Sequence, residues 1–144
     1  MILYRRPESV LVVVYTAGGL VLLLQRADLP DFWQSVTGTL ELDESPADAA
    51  LRELLEETGI DDAALVDCRQ TNRFRILPNW APRYAPGTTH NKEHVFSARI
   101  EAPVPIVLNP DEHLAFEWLP ATAAITRCSS ITNQAAVEQL LPSN

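Results

Sequence analysis

The chain has 144 residues, 47% hydrophobic and 21% charged, with a formal charge of −8. That length predicts one domain, residues 1–144, with a core that needs no disulfide or metal staple. The acidic balance excludes a general nucleic-acid binder or an anionic-membrane binder, so any phosphate-bearing substrate would have to be small and met by metal ions and a few local arginines.

Arg5-Arg6 precede two apolar runs, Val10 to Tyr15 and Leu20 to Leu24. Gly18-Gly19 interrupts them, and neither a cleavage site nor a span-length segment is present, so the runs predict a hairpin of buried strands in a cytoplasmic protein. Ser9 to Thr16 is continuously apolar and β-branched, as a strand covered on both faces should be. Arg26 to Asp31 reads as a polar loop. Val36, Leu40 and Leu42 share one parity, which predicts a half-buried strand. Trp33 suits the core better than a stacking platform. Gly38 either allows a close approach or adopts a conformation that a Cβ would not tolerate.

Ser45-Pro46 marks a helix start and Gly59 its stop, giving about thirteen residues. At about 100° per residue, Ala47, Ala50, Leu51, Leu54 and Leu55 form the core-facing stripe, while Glu53, Glu56 and Glu57 gather on the other side. Like charges so placed repel each other unless a hard divalent cation joins them. Arg52 is one turn from Glu56 and able to hold its carboxylate.

Beyond the helix, Ala63 to Leu77 predicts one long or bent strand. Pro78 to Asn91 contains three prolines and reads as an ordered loop over a mouth. Glu93 to Ile100 is a further strand, as is the segment in which Leu114, Phe116 and Trp118 alternate. Thr132 to Leu141 predicts a terminal helix burying Ala136, Val137, Leu140 and Leu141. Strands interleaved with helices imply an α/β fold with a mixed central sheet. Cys68 and Cys128 have no ligand spacing and read as reduced thiols. His90, His94 and His113 are too scattered for a zinc site.

The segment from Gly38 to Ile60 has a fixed spacing: Gly, five residues, Glu44, seven residues, then Arg52-Glu53-Leu54-Leu55-Glu56-Glu57-Thr58-Gly59-Ile60. This resembles the Nudix box at every constrained position. The resemblance implies the Nudix fold, an α/β/α sandwich, and an enzyme using Mg²⁺ (Mn²⁺ is the alternative) to cleave a diphosphate linked to another group. On the matching positions it implies Glu53 and Glu57 as metal ligands and Glu56 as a ligand or water-activating neighbour. Arg52 would orient the cluster, and Glu44 would either ligate or anchor the loop. A carboxylate outside the box often completes such sites; Glu112 is the first candidate, with Glu117 and Glu93 behind it.

A wider set of stretches extends the likeness over nearly the whole chain: Tyr4-Arg5-Arg6-Pro7, Leu24-Gln25-Arg26, Phe32-Trp33-Gln34, Arg83-Tyr84 and Glu112-His113-Leu114-Ala115. Together they resemble the bacterial dihydroneopterin triphosphate diphosphatases of folate biosynthesis. That family's reaction gives dihydroneopterin monophosphate and pyrophosphate. The resemblance implies that Arg5 and Arg26 meet phosphates, that Thr37 and Ser130 hydrogen-bond substrate, and that Phe74, Arg75, Ile76 and Leu77 line a pterin pocket. Each has a plain alternative, namely surface ion pairs, a strand ladder or core packing. Two departures stand out: Leu42-Asp43-Glu44 replaces a Glu-Gly-Glu run, and Thr39 occupies a frequent glycine position. The rival readings are a pyrophosphohydrolase of nucleoside triphosphates or dinucleoside polyphosphates, and a non-catalytic binding module.

Overall fold

A computed structural model describes residues 3–142. Its elements in chain order are β1 (Glu8–Thr16), β2 (Leu20–Arg26), β3 (Trp33–Gln34), β4 (Val36–Thr39), α1 (Pro46–Thr58), β5 (Ala64–Arg75), β6 (His90–Ile100), β7 (His113–Pro120), α2 (Ala121–Arg127) and α3 (Ile131–Leu140). The strands form one mixed sheet. Among the described residues, no helix is long and apolar enough to cross a membrane.

The expected central strand is β1. One edge pairs in parallel with β6, from Glu8 opposite Lys92 to Thr16 opposite Ile100. The other edge is shared. The hairpin with β2 holds only at Tyr15 opposite Val21, and then the two strands splay. The segment Trp33 to Thr39 fills the gap, with β3 pairing β2 and β4 pairing β1. β7 closes the far side of β2, and β5 closes the far side of β6. A Gly-Gly turn was therefore legible, but not that the hairpin opens to admit a third strand.

Alternation along β1 supplies both faces of a core. Val10, Val12 and Val14 pack with Leu22, Leu24, Phe96 and the α1 residues Ala49, Ala50 and Leu54. Leu11 and Val13 pack on the opposite side with Val21, Leu23, Val95, Ala124, Ala136 and Val137. Each of these valine, leucine and phenylalanine side chains contributes about 1.5–3 kcal/mol on burial, which is why the runs read as continuously apolar. Helix α1 covers one face and α2 with α3 the other, giving the α/β/α sandwich.

Four details differ from the sequence reading. Leu42 is 80% exposed because β4 ends at Thr39, so only Val36 and Leu40 are buried. Ala47, Leu51 and Leu55 of α1 are exposed; the buried arc is Ala49, Ala50, Leu54, Glu57 and Thr58. The short helix α2 went unrecognised, because its seven residues are rich in alanine and too few to show an amphipathic period. Helix α3 starts at Ile131, and its fully buried residues are Asn133, Ala136 and Val137, with Leu140 and Leu141 half-buried. Trp33 packs against the α3-side core as expected, with the Arg127 guanidinium 5.0 Å above its ring. Cys68 and Cys128 are free thiols.

Asn133 fastens α3 to the point where β3 gives way to β4. Its Oδ1 accepts from the Ser35 amide at 2.8 Å, and its Nδ2 donates to Ser35 Oγ at 2.9 Å. Both residues are fully buried. Asn133→Ala strands that amide and is expected to cost about 2 kcal/mol or more. Urea denaturation checks this; a loss under about half a kilocalorie would show that water replaces the side chain.

Candidate active site

Helix α1 is placed by its ends. Ser45 Oγ accepts from the Asp48 amide at 3.2 Å, Pro46 opens the first turn, and Gly59 closes the last with φ 79. The small residues Ala49 and Ala50 let the helix lie close to the sheet. The close approach continues at Gly38, where a Cβ would lie 2.1 Å from Glu53 Cδ. Gly38 does not have a positive φ, so of the two roles anticipated for it, close approach is the one found. What it admits is the Glu53 side chain itself.

Arg52 organises the acids. Its Nε and Nη2 form a two-pronged contact with Glu44, each at 2.8 Å. Nη1 reaches Glu53 Oε1 at 2.7 Å, and Nη2 also donates to the Thr39 carbonyl at 3.0 Å. The hydrogen bonds from Arg52 hold the Glu44 carboxyl down at about 2, and the Glu41 amide adds a contact of 2.9 Å. Glu44 is thereby an anchor for the loop before the helix. In that loop Asp43, at the position where a glycine is frequent, takes the left-handed conformation with φ 66, which a short polar side chain tolerates.

Glu53 and Glu57 differ from the rest. Glu57 is 2% exposed, and its Oε2 has no hydrogen-bond partner. Burial raises both carboxyls, Glu57 well above the ordinary range, and the charge of Glu53 raises Glu57 further. Glu112 adds negative potential at Glu57. His113 Nε2 lies 3.3 Å from Glu57 Oε1 in an equally buried position. Burial, then the nearby Arg26, pushes His113 down to about 4, so the imidazole is neutral at pH 7.

Glu56 does not join this pair. Its side chain is 57% exposed and touches Arg52 only at 3.4 Å. Spacing placed three acids on one face, but the face is rotated toward Glu57, and Glu56 falls on its outer fringe.

A cavity of about 960 Å³ opens beside the pair and is lined by Glu53, Glu57, Arg52 and Glu112. Arg5, Arg26, Thr37, Phe74, Arg75, Ile76, Leu77 and Ser130 also line it. Several of these have structural partners as well. Thr37 Oγ1 donates to the Val10 carbonyl at 2.8 Å, and Ser130 caps α3. Arg26 pairs with Asp28 at 2.7 Å and lies 4.6 Å over the Trp80 ring. Glu93 faces the cavity too, whereas Glu117 is paired with Arg127 at 3.0 Å and does not line it. The Pro78 to Asn91 segment forms part of the rim through Trp80, Arg83 and Tyr84, and is tied down by the Arg5 amide donating to the Arg83 carbonyl.

His113 was missed as a site residue. His113 was discounted because the three histidines are scattered in sequence, although it directly follows Glu112. Trp80 lies in the loop that the sequence placed over the mouth, and it lines the cavity there.

The donor set fits a hard divalent cation. It is all carboxylate oxygen, it includes a buried oxygen without a partner, and the Gly38 cradle seats Glu53. Among the described residues, no three such side chains are already gathered at cation distance; Arg52 draws Glu53 one way while Glu57 leans on Glu53 and His113.

The profile of the NUDIX domain matches residues 5–139. The chain is 45% identical over 146 residues to a dihydroneopterin triphosphate diphosphatase of Haemophilus influenzae, covering 98% of this chain and 91% of that one. It is 46% identical over 143 residues to the enzyme of that name from Escherichia coli, covering 96% and 94%. The solved structure of the E. coli dihydroneopterin triphosphate pyrophosphohydrolase superposes with a TM-score of 0.91 at 44% identity, covering 96% of this chain and 97% of that one. With a box intact at each fixed position, the sandwich that presents it and likeness along almost its full length, the chain belongs to the NUDIX family.

Proposed function

We propose that the protein hydrolyses dihydroneopterin triphosphate to dihydroneopterin monophosphate and pyrophosphate, with Mg²⁺ as the preferred divalent ion and Mn²⁺ as the substitute. The observation carrying this reading is the buried Glu53–Glu57 pair, with its unpartnered oxygen, at the edge of a cavity large enough for a bicyclic triphosphate. The near-full-length likeness to enzymes of that name supports the substrate. The whole chain acts as a single domain, in the cytoplasm, on a small molecule rather than on nucleic acid or a membrane.

Glu53, Glu57 and Glu112 would hold the cation, which when bound neutralises phosphate charge and acidifies a coordinated water. The rest belongs to the chain. Arg52 fixes the rotamer of Glu53 and, through Glu44, the loop that carries Thr39. Glu56, exposed beside Arg52, is a secondary ligand or a relay to solvent. Arg5 and Arg26 supply positive charge at the mouth for the polyphosphate tail, which the overall acidic field would otherwise repel. Phe74, Ile76 and Leu77 offer an apolar wall to a flat ring, with Arg75, Thr37 and Ser130 as polar neighbours.

The test is a comparison of catalytic efficiency on dihydroneopterin triphosphate and a panel of nucleoside triphosphates and dinucleoside polyphosphates. The pterin is expected to lead by at least about tenfold, since a site built around a polar edge discriminates strongly. A nucleotide with the higher kcat/KM would overturn the substrate.

A further inference from the structure

One wall of the cavity carries polar groups that hydrolysis does not use. It is formed by alternate residues of β6, on the α3 side of the sheet. Asn91 and Glu93 are 3% and 5% exposed, and both line the cavity. Asn91 Nδ2 donates to Ser9 Oγ at 2.7 Å, which turns its Oδ1 away from that bond and leaves it buried without a partner. Glu93 Oε1 accepts from Asn72 Nδ2 at 3.2 Å, and the Thr132 hydroxyl lies beside the carboxyl. A carboxylate offers about four lone-pair positions, so two neutral donors do not saturate it. Burial accordingly pushes the Glu93 carboxyl above its ordinary range. Across the cavity Gln34 Nε2 is also buried and unpartnered.

Buried acceptors without donors are costly, and such groups in a folded protein call for an explanation. Here the explanation is a ligand. Resting on the pterin triphosphate reading above, we propose that Glu93, with Asn91 beside it, is the specificity-determining residue that accepts from the ring N–H and adjacent exocyclic amino group of the substrate's bicyclic head. A 2-amino-4-oxopteridine presents those two donors side by side, and so does guanine. Hypoxanthine keeps the ring N–H and lacks the amino group. Adenine sets an amino group beside a ring acceptor, which a carboxylate repels. Gln34 Nε2 is a donor free to meet a carbonyl or ring nitrogen of the same head. Phe74 and Ile76 supply nearby apolar surface.

The experiment measures kcat and KM for dihydroneopterin triphosphate, GTP, ITP and ATP, with wild-type protein and Glu93→Gln. For the wild type, GTP is expected to exceed ITP by about tenfold, the value of one lost amino contact. Glu93→Gln exchanges one acceptor for a donor and should lower kcat/KM on dihydroneopterin triphosphate and GTP by about 30-fold, mainly through KM. The loss on ITP and ATP should be much smaller, and the Mg²⁺ concentration for half-maximal rate should not move. An equal loss on all four substrates, or a raised Mg²⁺ requirement, would assign Glu93 to structure or to the metal and overturn the proposal. Should the variant not fold, the wild-type ratio decides alone, and a GTP to ITP ratio near one sinks the proposal. If ATP outruns the pterin, the substrate reading above fails, and the GTP to ITP ratio still decides whether this wall reads an amino-amide edge.

Discussion

Replacing Glu57 by Gln is expected to lower kcat by about a thousandfold or more while leaving the metal-free protein more stable. The two effects share one cause. The Glu57 carboxyl is buried, faces Glu53 and has an oxygen without a partner. The amide keeps the shape and removes the charge, and with it a ligand that positions the cation, a loss large enough for a fall of that size. The stability gain depends on pH. Because the folded-state carboxyl is raised well above 4.5, the native state keeps a proton that the unfolded chain has released. Stability of the wild type therefore declines as pH climbs from 4.5 through the raised value, and the Glu57→Gln protein is free of that decline. His113, lowered to about 4, contributes the opposite slope between about 4 and 6.5, and its Nε2 lies 3.3 Å from Glu57 Oε1, so the comparison is read from pH 6.5 upward, where that slope has ended. Urea denaturation in chelator at about pH 6.5, 7.5 and 8.5 should show the variant's advantage widening with pH. A constant or shrinking advantage would mean that Glu57 is not strained by burial, and near-normal turnover would remove it from the mechanism.

The second large effect is expected from a single methyl group. In Gly38→Ala the new Cβ would stand 2.1 Å from Glu53 Cδ and 2.3 Å from its Oε1. No van der Waals contact is that short, so something has to move. The β4 backbone is held in register by β1, whereas the carboxylate is the end of a rotatable side chain. Glu53 therefore swings away, breaking its 2.7 Å contact with Arg52. A displacement of about 1 Å in a positioned group costs roughly a hundredfold in rate, and kcat is expected to fall by that order. Stability should change little, because a strand favours alanine over glycine and the adjustment occurs at a cavity rather than in close-packed core. Thermal melting and steady-state kinetics check the split. A variant that loses activity and unfolds in parallel would show that Gly38 serves the sheet; one with normal kcat would show that Glu53 does not need its seat.

These two residues also show where the sequence was legible and where it was not. The α1 boundaries followed from Ser45, Pro46 and Gly59, and the box from its spacing, because capping and helical period are local properties. The face that α1 buries was misjudged. Leu51 and Leu55 were placed inward on hydrophobicity, yet both are more than half exposed, and the helix instead turns Glu57 toward the sheet. Hydrophobic period alone cannot anticipate a buried carboxylate; that arrangement is retained for its chemistry against its cost. The same rotation explains why Glu56 falls outside the pair. Arg52 was expected to hold Glu56, and it does so at 3.4 Å, but its shorter contacts are to Glu44 and Glu53, since a contact eight residues away along the chain depends on how the preceding loop folds back. Asn91 and Glu93 were invisible as a pair of acceptors until β6 was set beside β1 and β5, because their partners, Ser9 and Asn72, come from those other strands, and only the bond to Ser9 shows that Asn91 Oδ1 is left unmet. The polar mouth follows the same logic: Arg26, Asp28 and Trp80 meet only because the loop before β6 folds over the end of β2.

The central claim is that the carboxylates at the sheet-facing side of α1 hold a divalent cation against a triphosphate. It is tested most directly by following dihydroneopterin triphosphate by phosphorus NMR with chelator-stripped protein, before and after a Mg²⁺ titration. The expected result is no turnover in chelator and, with added Mg²⁺, saturable release of pyrophosphate together with the monophosphate in equal amounts. Turnover that ignores the chelator, or a replete protein that leaves the triphosphate intact, would contradict it.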